Sequence, residues 1–345
     1  MEYRKLGKTN IDVSLIGLGT MTWGFQNTEA HGHEQMDYAT DQGINFFDTA
    51  EMYAIPPSAK TCGSTESIVG SWFASRKKRD EIILATKIAG PGLPWIRDGA
   101  AIDSANVVKA VETSLQRLQT DYIDLYQLHW PNRGSYHFGE QWAFAPDADA
   151  EAVKANFIEV LEACKALITA GKIRYIGLSN ETAWAMMQWL QLSEKYELPR
   201  IASIQNEYSL LNRQFEPDLQ EIAIHEKCGL LAWSPLARGF LSGKYAGGAR
   251  PEGSRLSIET RPEHRDRPQT DTAANAYVEL AKRHELDPCQ MAIAFINSRP
   301  FVTSTLIGAT NLDQLKTNIS AIDVKLSDEV LADIDKLRQD YPMPY

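Results

Sequence analysis

The chain carries eight strand-length apolar runs, near Leu15–Leu18, Ile44–Phe47, Ile82–Ala85, Ile123–Leu128, Ile173–Leu178, Ile201–Gln205, Leu230–Ser234 and Thr305–Ile307. Each is bounded by the Gly, Asp, Asn or Pro signals that close a short buried strand. Amphipathic stretches of helical period lie between them: His33–Gln42, Glu66–Lys77, Asn106–Leu118, Glu151–Ala170, Ala183–Lys195 and Pro217–Glu226. Four more follow at Thr272–His284, Gln290–Asn297, Leu312–Ile322 and Asp328–Gln339. Ser327 is placed to cap a helix start, and Gly43 and Gly171 to end helices. Buried strands alternating with helices predict an α/β fold, a (β/α)8 TIM barrel spanning residues 1–345 as one domain, with extra C-terminal helices. A doubly wound sheet would need a glycine-rich turn from the first strand into a helix. The nearest stretch, Gly17 to Gly24, has its third glycine two places late and Trp23 where a pyrophosphate would sit. Residues 3–13 read as an N-terminal β-hairpin that caps the barrel floor.

Composition narrows the class. Of 345 residues, 43% are hydrophobic, enough for a large core, and the net charge of −10 argues against a nucleic-acid surface. No apolar run approaches the roughly 18–20 residues of a membrane span. The opening residues lack the apolar core of a signal peptide, and the four cysteines form no CxxC pair. The expectation is a reduced, cytoplasmic protein with no membrane or nucleic-acid partner; a homo-oligomer is left open. His31-Gly-His33-Glu34 fits no familiar metal spacing and opens a helix, so no metal is expected.

The polar residues at the strand ends point to chemistry. Asp48 ends the second run, Lys87 the third and His129 the fourth, with Tyr53 five residues beyond Asp48 in "DTAEMY". In a barrel these ends converge on one mouth. Each residue alone is ordinary; four reactive types at successive strand ends are not. A free tyrosine has a pKa of about 10 and is a poor acid at neutral pH. A neighbouring ammonium lowers that value, and Asp48 beside Lys87 keeps the lysine charged. His129 can hydrogen-bond a substrate oxygen. The set is a general acid aimed at a carbonyl turning into an alkoxide. No nucleophile is evident, so the chemistry expected is proton plus hydride, which requires a cofactor. Three segments, 54–64, 131–149 and 237–269, are too long for plain connections and follow strands. Residues 237–268 hold seven basic and four acidic side chains in a chain of net charge −10, a local reversal that suits a polyanion. A second phosphate candidate is Leu306 to Asn311, where Gly308 precedes a helix start.

In order along the chain, "GLGTMTWG", "DTAEMY", "TK", "LYQLHWP", "GKIRYIGLSN", "IQNEYSLLNR", "WSPLARGFLSGKY" and "LIGATNLDQLKTN" together resemble the aldo-keto reductase family. The likeness is nearest its bacterial Tas-like branch, beside the potassium-channel β subunits. The resemblance implies NADPH-dependent reduction of a small-molecule aldehyde or ketone, with Tyr53 as acid–base, Lys87 and Asp48 as its tuning pair and His129 as the orienting donor. It implies that Ser179, Asn180 and Gln205 hold the carboxamide and that Trp233 stacks on the nicotinamide, with Thr20, Met21 and Asp48 beside the cofactor. Ser234, Pro235, Leu236, Gly239, Leu241 and Lys244 would line the pyrophosphate. Arg255, Gly308, Thr310, Gln314 and Asn318 would meet the adenosine end and its 2′-phosphate. Trp23 and Trp130, with Tyr53 and His129, would wall the substrate. Thr317 departs from the glutamate of the channel branch, and the Lys/Arg-rich motif of other branches is missing after the last strand. The channel likeness keeps one alternative, a slow-turnover NADPH-sensing module. A phosphate-sugar lyase or isomerase on the same barrel is a second.

Overall fold

A computed structural model describes residues 1–146, 149–259 and 263–345. Eight parallel strands close into a barrel: β3 (Ile16–Gly19), β4 (Phe46–Asp48), β5 (Ile83–Ile88), β6 (Ile123–Leu128), β7 (Ile173–Ser179), β8 (Ile201–Glu207), β9 (Leu230–Trp233) and β10 (Val302–Ile307). β10 pairs with β3 and completes the ring. The closed order removes both sheet edges and the switch point that a doubly wound sheet would use. Every predicted strand is present; β5, β7, β8 and β10 are longer than predicted by one to three residues, and β4 and β9 are one residue shorter.

Helices follow the strands: α1 (Glu29–Asp41), α2 (Ser64–Arg76), α3 (Ser104–Leu118), α4 (Ala150–Thr169), α5 (Ala183–Lys195) and α6 (Leu219–His225). The connection after β9 holds α7 (Arg255–Ile258), α8 (Pro268–Arg283) and α9 (Pro288–Asn297); α10 (Leu312–Ser320) and α11 (Asp328–Asp340) follow β10. Several helices start before the predicted apolar period does. Thr28, Asp103, Asp149 and Asp287 cap four of them and Asn311 caps α10, each accepting from a backbone N–H of the first turn. Ser327 caps α11 as expected. Gly43 and Gly171 follow helix ends with φ of 83° and 74°, a left-handed conformation that glycine adopts without a Cβ clash.

The N-terminal hairpin, β1 (Tyr3–Lys5) with β2 (Asp12–Ser14), is antiparallel and separate from the barrel. Leu6, Ile11 and Val13 of the hairpin region pack against Phe46, Ala85, Leu125, Ala202, Leu231 and Leu306, which plugs the floor with an apolar layer. Gly17 is needed there, since a Cβ would stand 2.9 Å from Phe46 and 2.8 Å from Leu306. Side chains on a strand alternate faces with period two. Two residues above Phe46, Ala85 and Leu125, therefore, come Asp48, Lys87 and Gln127, all pointing into the barrel. The second layer is polar because the first has already sealed the floor.

Candidate active site

The polar layer is built around Asp48. Its Oδ2 accepts from Lys87 Nζ at 2.6 Å, and its Oδ1 accepts from Gln127 Nε2 at 3.0 Å and Gln205 Nε2 at 2.8 Å. Lys87 Nζ also donates to the Thr49 carbonyl at 2.7 Å. Lys87 is fully buried and Asp48 nearly so. A buried ion pair holds only if its remaining lone pairs and protons are satisfied, and here two glutamines and a carbonyl do that. Burial pushes the Lys87 ammonium down, but Asp48, then Tyr53, outweigh it and raise the net value; the lysine stays charged.

Tyr53 and His129 sit above this pair. The Lys87 ammonium lies 5.1 Å from the Tyr53 ring centre, and the Tyr53 and His129 rings meet edge to face at 5.6 Å. Burial raises the Tyr53 phenol above its ordinary value and Lys87 opposes that. This corrects the expectation of a lowered phenol: desolvation wins. The phenol holds its proton at neutral pH, as an acid must, while the ammonium limits the cost of giving it up. Burial, then the charge on Lys87, hold His129 well below 6.5, so its ring is neutral. Its Nδ1 has no partner among the described residues.

An apolar wall flanks the phenol. Trp130 packs with Ala50, Met52, Ile55, Leu93 and Ile96 beside Tyr53, and its Nε1 donates to the Pro91 carbonyl at 3.1 Å. Trp23 is not part of that wall. It is fully buried in the main core, with Nε1 on Gln35 Oε1 at 3.3 Å. The turn after β3 points the ring back under α1, where Gly32 makes room for it. Glu51, between Asp48 and Tyr53 in sequence, is buried; it accepts from Ala89 N at 2.5 Å and pairs with Arg97 at 2.7 Å. That brace fixes the segment carrying Tyr53 to the β5 connection, and no motif or period pointed to it.

The ends of β7, β8 and β9 form one cluster. Ser179 Oγ donates to the Gln205 carbonyl at 2.8 Å, and Asn180 Nδ2 donates to the His129 carbonyl at 2.8 Å. Trp233 Nε1 donates to Asn180 Oδ1 at 3.2 Å. Asn180 and Ser234 hold φ of 53° and 56°, left-handed values uncommon outside glycine; the strand ends turn sharply to aim these groups across the mouth. Phe138, from the 131–149 connection, stacks over Trp233 at 6.1 Å. Thr20 Oγ1 donates to the Asp48 carbonyl at 2.9 Å, and the Met21 carbonyl accepts from Ile55 N at 2.9 Å.

Past Ser234, Pro235 and Leu236 the chain reaches Gly239, with φ 99°, two residues before Leu241. A Cβ there would stand 2.6 Å from Lys244 Cε and 2.9 Å from its Nζ, so glycine lets the Lys244 ammonium lie against this loop. At the start of α10, Gln314 Oε1 accepts from both Thr310 N and Thr310 Oγ1 at 3.1 Å, and Asn318 Nδ2 donates to the Gly308 carbonyl at 3.2 Å. Gly308 faces open space. Gln26 Nε2 donates to the Gly253 carbonyl at 2.9 Å, which carries the 250s segment across to the β3 turn. Arg255 is buried and pairs with Glu259, and its charge is felt at Tyr53. Four of the seven basic side chains of this connection are held in ion pairs. Arg238 pairs with Glu263, Arg250 with Asp266, and Arg265 with Glu263 and Glu207. Arg261 lies outside the described residues. The count of charges therefore overstated a phosphate field; among the described residues of this connection Lys244 and Arg267 are the exposed cations outside those pairs, and Lys244 lies against the Gly239 loop.

A barrel whose mouth holds a tyrosine and a neutral histidine above a buried Asp–Lys pair has the groups needed to hold and give up a proton. The profile of the aldo/keto reductase family matches residues 15–339. Protein tas of Escherichia coli (strain K12) is 48% identical over 347 aligned positions, covering 100% of this chain and 99% of that protein. "Uncharacterized oxidoreductase YrpG" of Bacillus subtilis (strain 168) is 32% identical, covering 96% and 94%. An "Aldo-keto reductase" of Babesia bovis is 36% identical, covering 69% and 88%. The chain belongs to the aldo/keto reductase family, a family of oxidoreductases. No helix among the described residues is long and apolar enough to cross a membrane.

Proposed function

We propose that the protein is an NADPH-dependent carbonyl reductase, with Tyr53 as the general acid and a small aldehyde or ketone as substrate. The observation that carries this reading is the buried Lys87–Asp48 pair lying directly under a protonated Tyr53. Bound NADPH would supply the hydride. The residues present fit such a group. Ser179, Asn180 and Gln205 offer polar atoms at one rim, Trp233 offers a flat face, Lys244 a cation, and Gly308 an open backbone at a helix start.

The chain's own part is to hold and move a proton. A substrate oxygen set between Tyr53 Oη and His129 meets two groups that are neutral at pH 7, so the ground state carries no mismatched charge. As negative charge develops on that oxygen, Tyr53 gives up its proton and Lys87 compensates the phenolate it leaves. Trp130 and its apolar neighbours exclude water there, which strengthens each of these interactions.

Tyr53→Phe tests the reading. It should lower reductase turnover about 100- to 10,000-fold and leave NADPH affinity, followed by tryptophan quenching, close to the parent's. A variant that still reduces a good substrate at near the parental rate overturns the assignment. A parent that binds NADPH yet turns over no carbonyl belongs with the cofactor-sensing modules instead.

A further inference from the structure

Asp48 Oδ1 faces two side-chain amides, and an ionised carboxylate can only accept hydrogen bonds. The amide atoms at 3.0 Å (Gln127) and 2.8 Å (Gln205) must therefore both be NH2 groups. That fixes both amide orientations by chemistry. Gln127 Oε1 is left to accept, and Gln205 Nε2 donates to it at 3.1 Å. Both protons of the Gln205 amide are thus spent inside the barrel, on Asp48 and Gln127. Among the described residues no donor reaches Gln205 Oε1, and it is not among the fully enclosed atoms lacking a partner. The carbonyl end of Gln205 is turned out toward the mouth, as an acceptor.

We propose that Gln127 is a positioning residue that, with Asp48, locks Gln205 so that its carbonyl reads the amide N–H of a nicotinamide carboxamide. The inference rests on the NADPH reading above and adds a residue to it. Gln127 has no route to substrate, since it is fully buried one layer below the mouth. It acts through its two neighbours: it holds the Asp48 oxygen opposite Lys87 and it closes the second proton of Gln205. One buried carboxylate thereby serves both the proton machinery, through Lys87, and the cofactor site, through Gln205. Gly177 of β7 closes the far side of Gln127, where a Cβ would lie 3.3 Å from Gln127 Cγ. The charged groups facing this position are Asp48 from β4 and Lys87 from β5, with Tyr53 and His129 above them.

The test uses the full chain and three variants. Cofactor affinity is read by tryptophan quenching for NADPH and for its 3-acetylpyridine analogue, which has a methyl group where the carboxamide has NH2. The parent should favour NADPH by about tenfold, the worth of one well-placed hydrogen bond. Gln127→Leu should lose most of that preference while binding the analogue as the parent does. Gln127→Glu replaces the amide donor by an acid that donates only while protonated. Beside Asp48 and out of water, its carboxyl is pushed upward. Its preference for NADPH should be near parental at low pH and fall as pH rises, over a range where the parent's is flat. Gln127→Asn, with the same groups on a shorter stem, separates chemistry from reach and should restore part of the preference. Parental preference in Gln127→Leu, or a pH-independent Gln127→Glu, overturns the role of Gln127 and leaves the reductase reading standing. No NADPH binding by the parent overturns that reading, and this inference with it. A thermal melt of each variant identifies one that fails to fold, and the pH course within Gln127→Glu is internal to a single folded protein.

Discussion

Two ion pairs of the same length sit in opposite surroundings. Lys87 meets Asp48 at 2.6 Å inside the barrel, with side chains 0% and 5% exposed. Arg250 meets Asp266 at 2.6 Å in the 237–269 connection, with side chains 38% and 42% exposed. Distance does not distinguish them; solvent does. The exposed pair is screened and carries the entropy cost of two long side chains. The buried pair is unscreened, and each charge depends on the other because water is not available to replace it. The first can be lost cheaply. The second organises the site above it.

The comparison breaks first at Lys87. Lys87→Met leaves Asp48 buried without its cation and should cost about 3–5 kcal/mol of unfolding free energy in urea, along with most reductase activity. A loss below about 1 kcal/mol would mean that the two pairs are alike after all.

Acid should act next, through histidines of the 131–149 and 237–269 connections and of the site. Burial, ahead of the other influences, holds His137 at about 4 and His264 at about 4, against an ordinary 6.5; His129 is depressed in the same sense. Unfolded, these rings take up protons that the native state refuses. Their contribution is therefore fully present above pH 6.5 and is lost as pH falls toward 4. Urea midpoints should drop across that window, and the His137→Phe/His264→Phe double variant should flatten part of the drop. Parent stability that holds level to pH 4 removes the idea. The smallest effect belongs to Arg250→Ala, expected to cost less than about 1 kcal/mol and less still in high salt.

The same contrast explains what could be read in advance. Asp48, Lys87 and His129 stand at strand ends, where the fold itself dictates direction, and Tyr53 follows at short range. Gln127 lies two residues before His129 on the same strand face, but nothing in the sequence separates its amide from other buried polar groups. Trp23 was misplaced because a turn, not a strand, sets its direction. The arginines of 237–269 looked like a phosphate surface because a count of charges contains no pairing. Phe138 and the Glu51–Arg97 brace depend on connections whose course follows no period.

By itself the sequence determined the alternation of strand and helix, the caps and stops, and the period-two placement of polar residues above an apolar floor. Those are local properties, fixed by which backbone conformations and faces each residue type favours. Only the tertiary structure decided which carboxylate takes which cation, which way the two glutamine amides point, and that burial outweighs Lys87 at the Tyr53 phenol. Those outcomes depend on distances between segments far apart in the chain and on how much water is left between them.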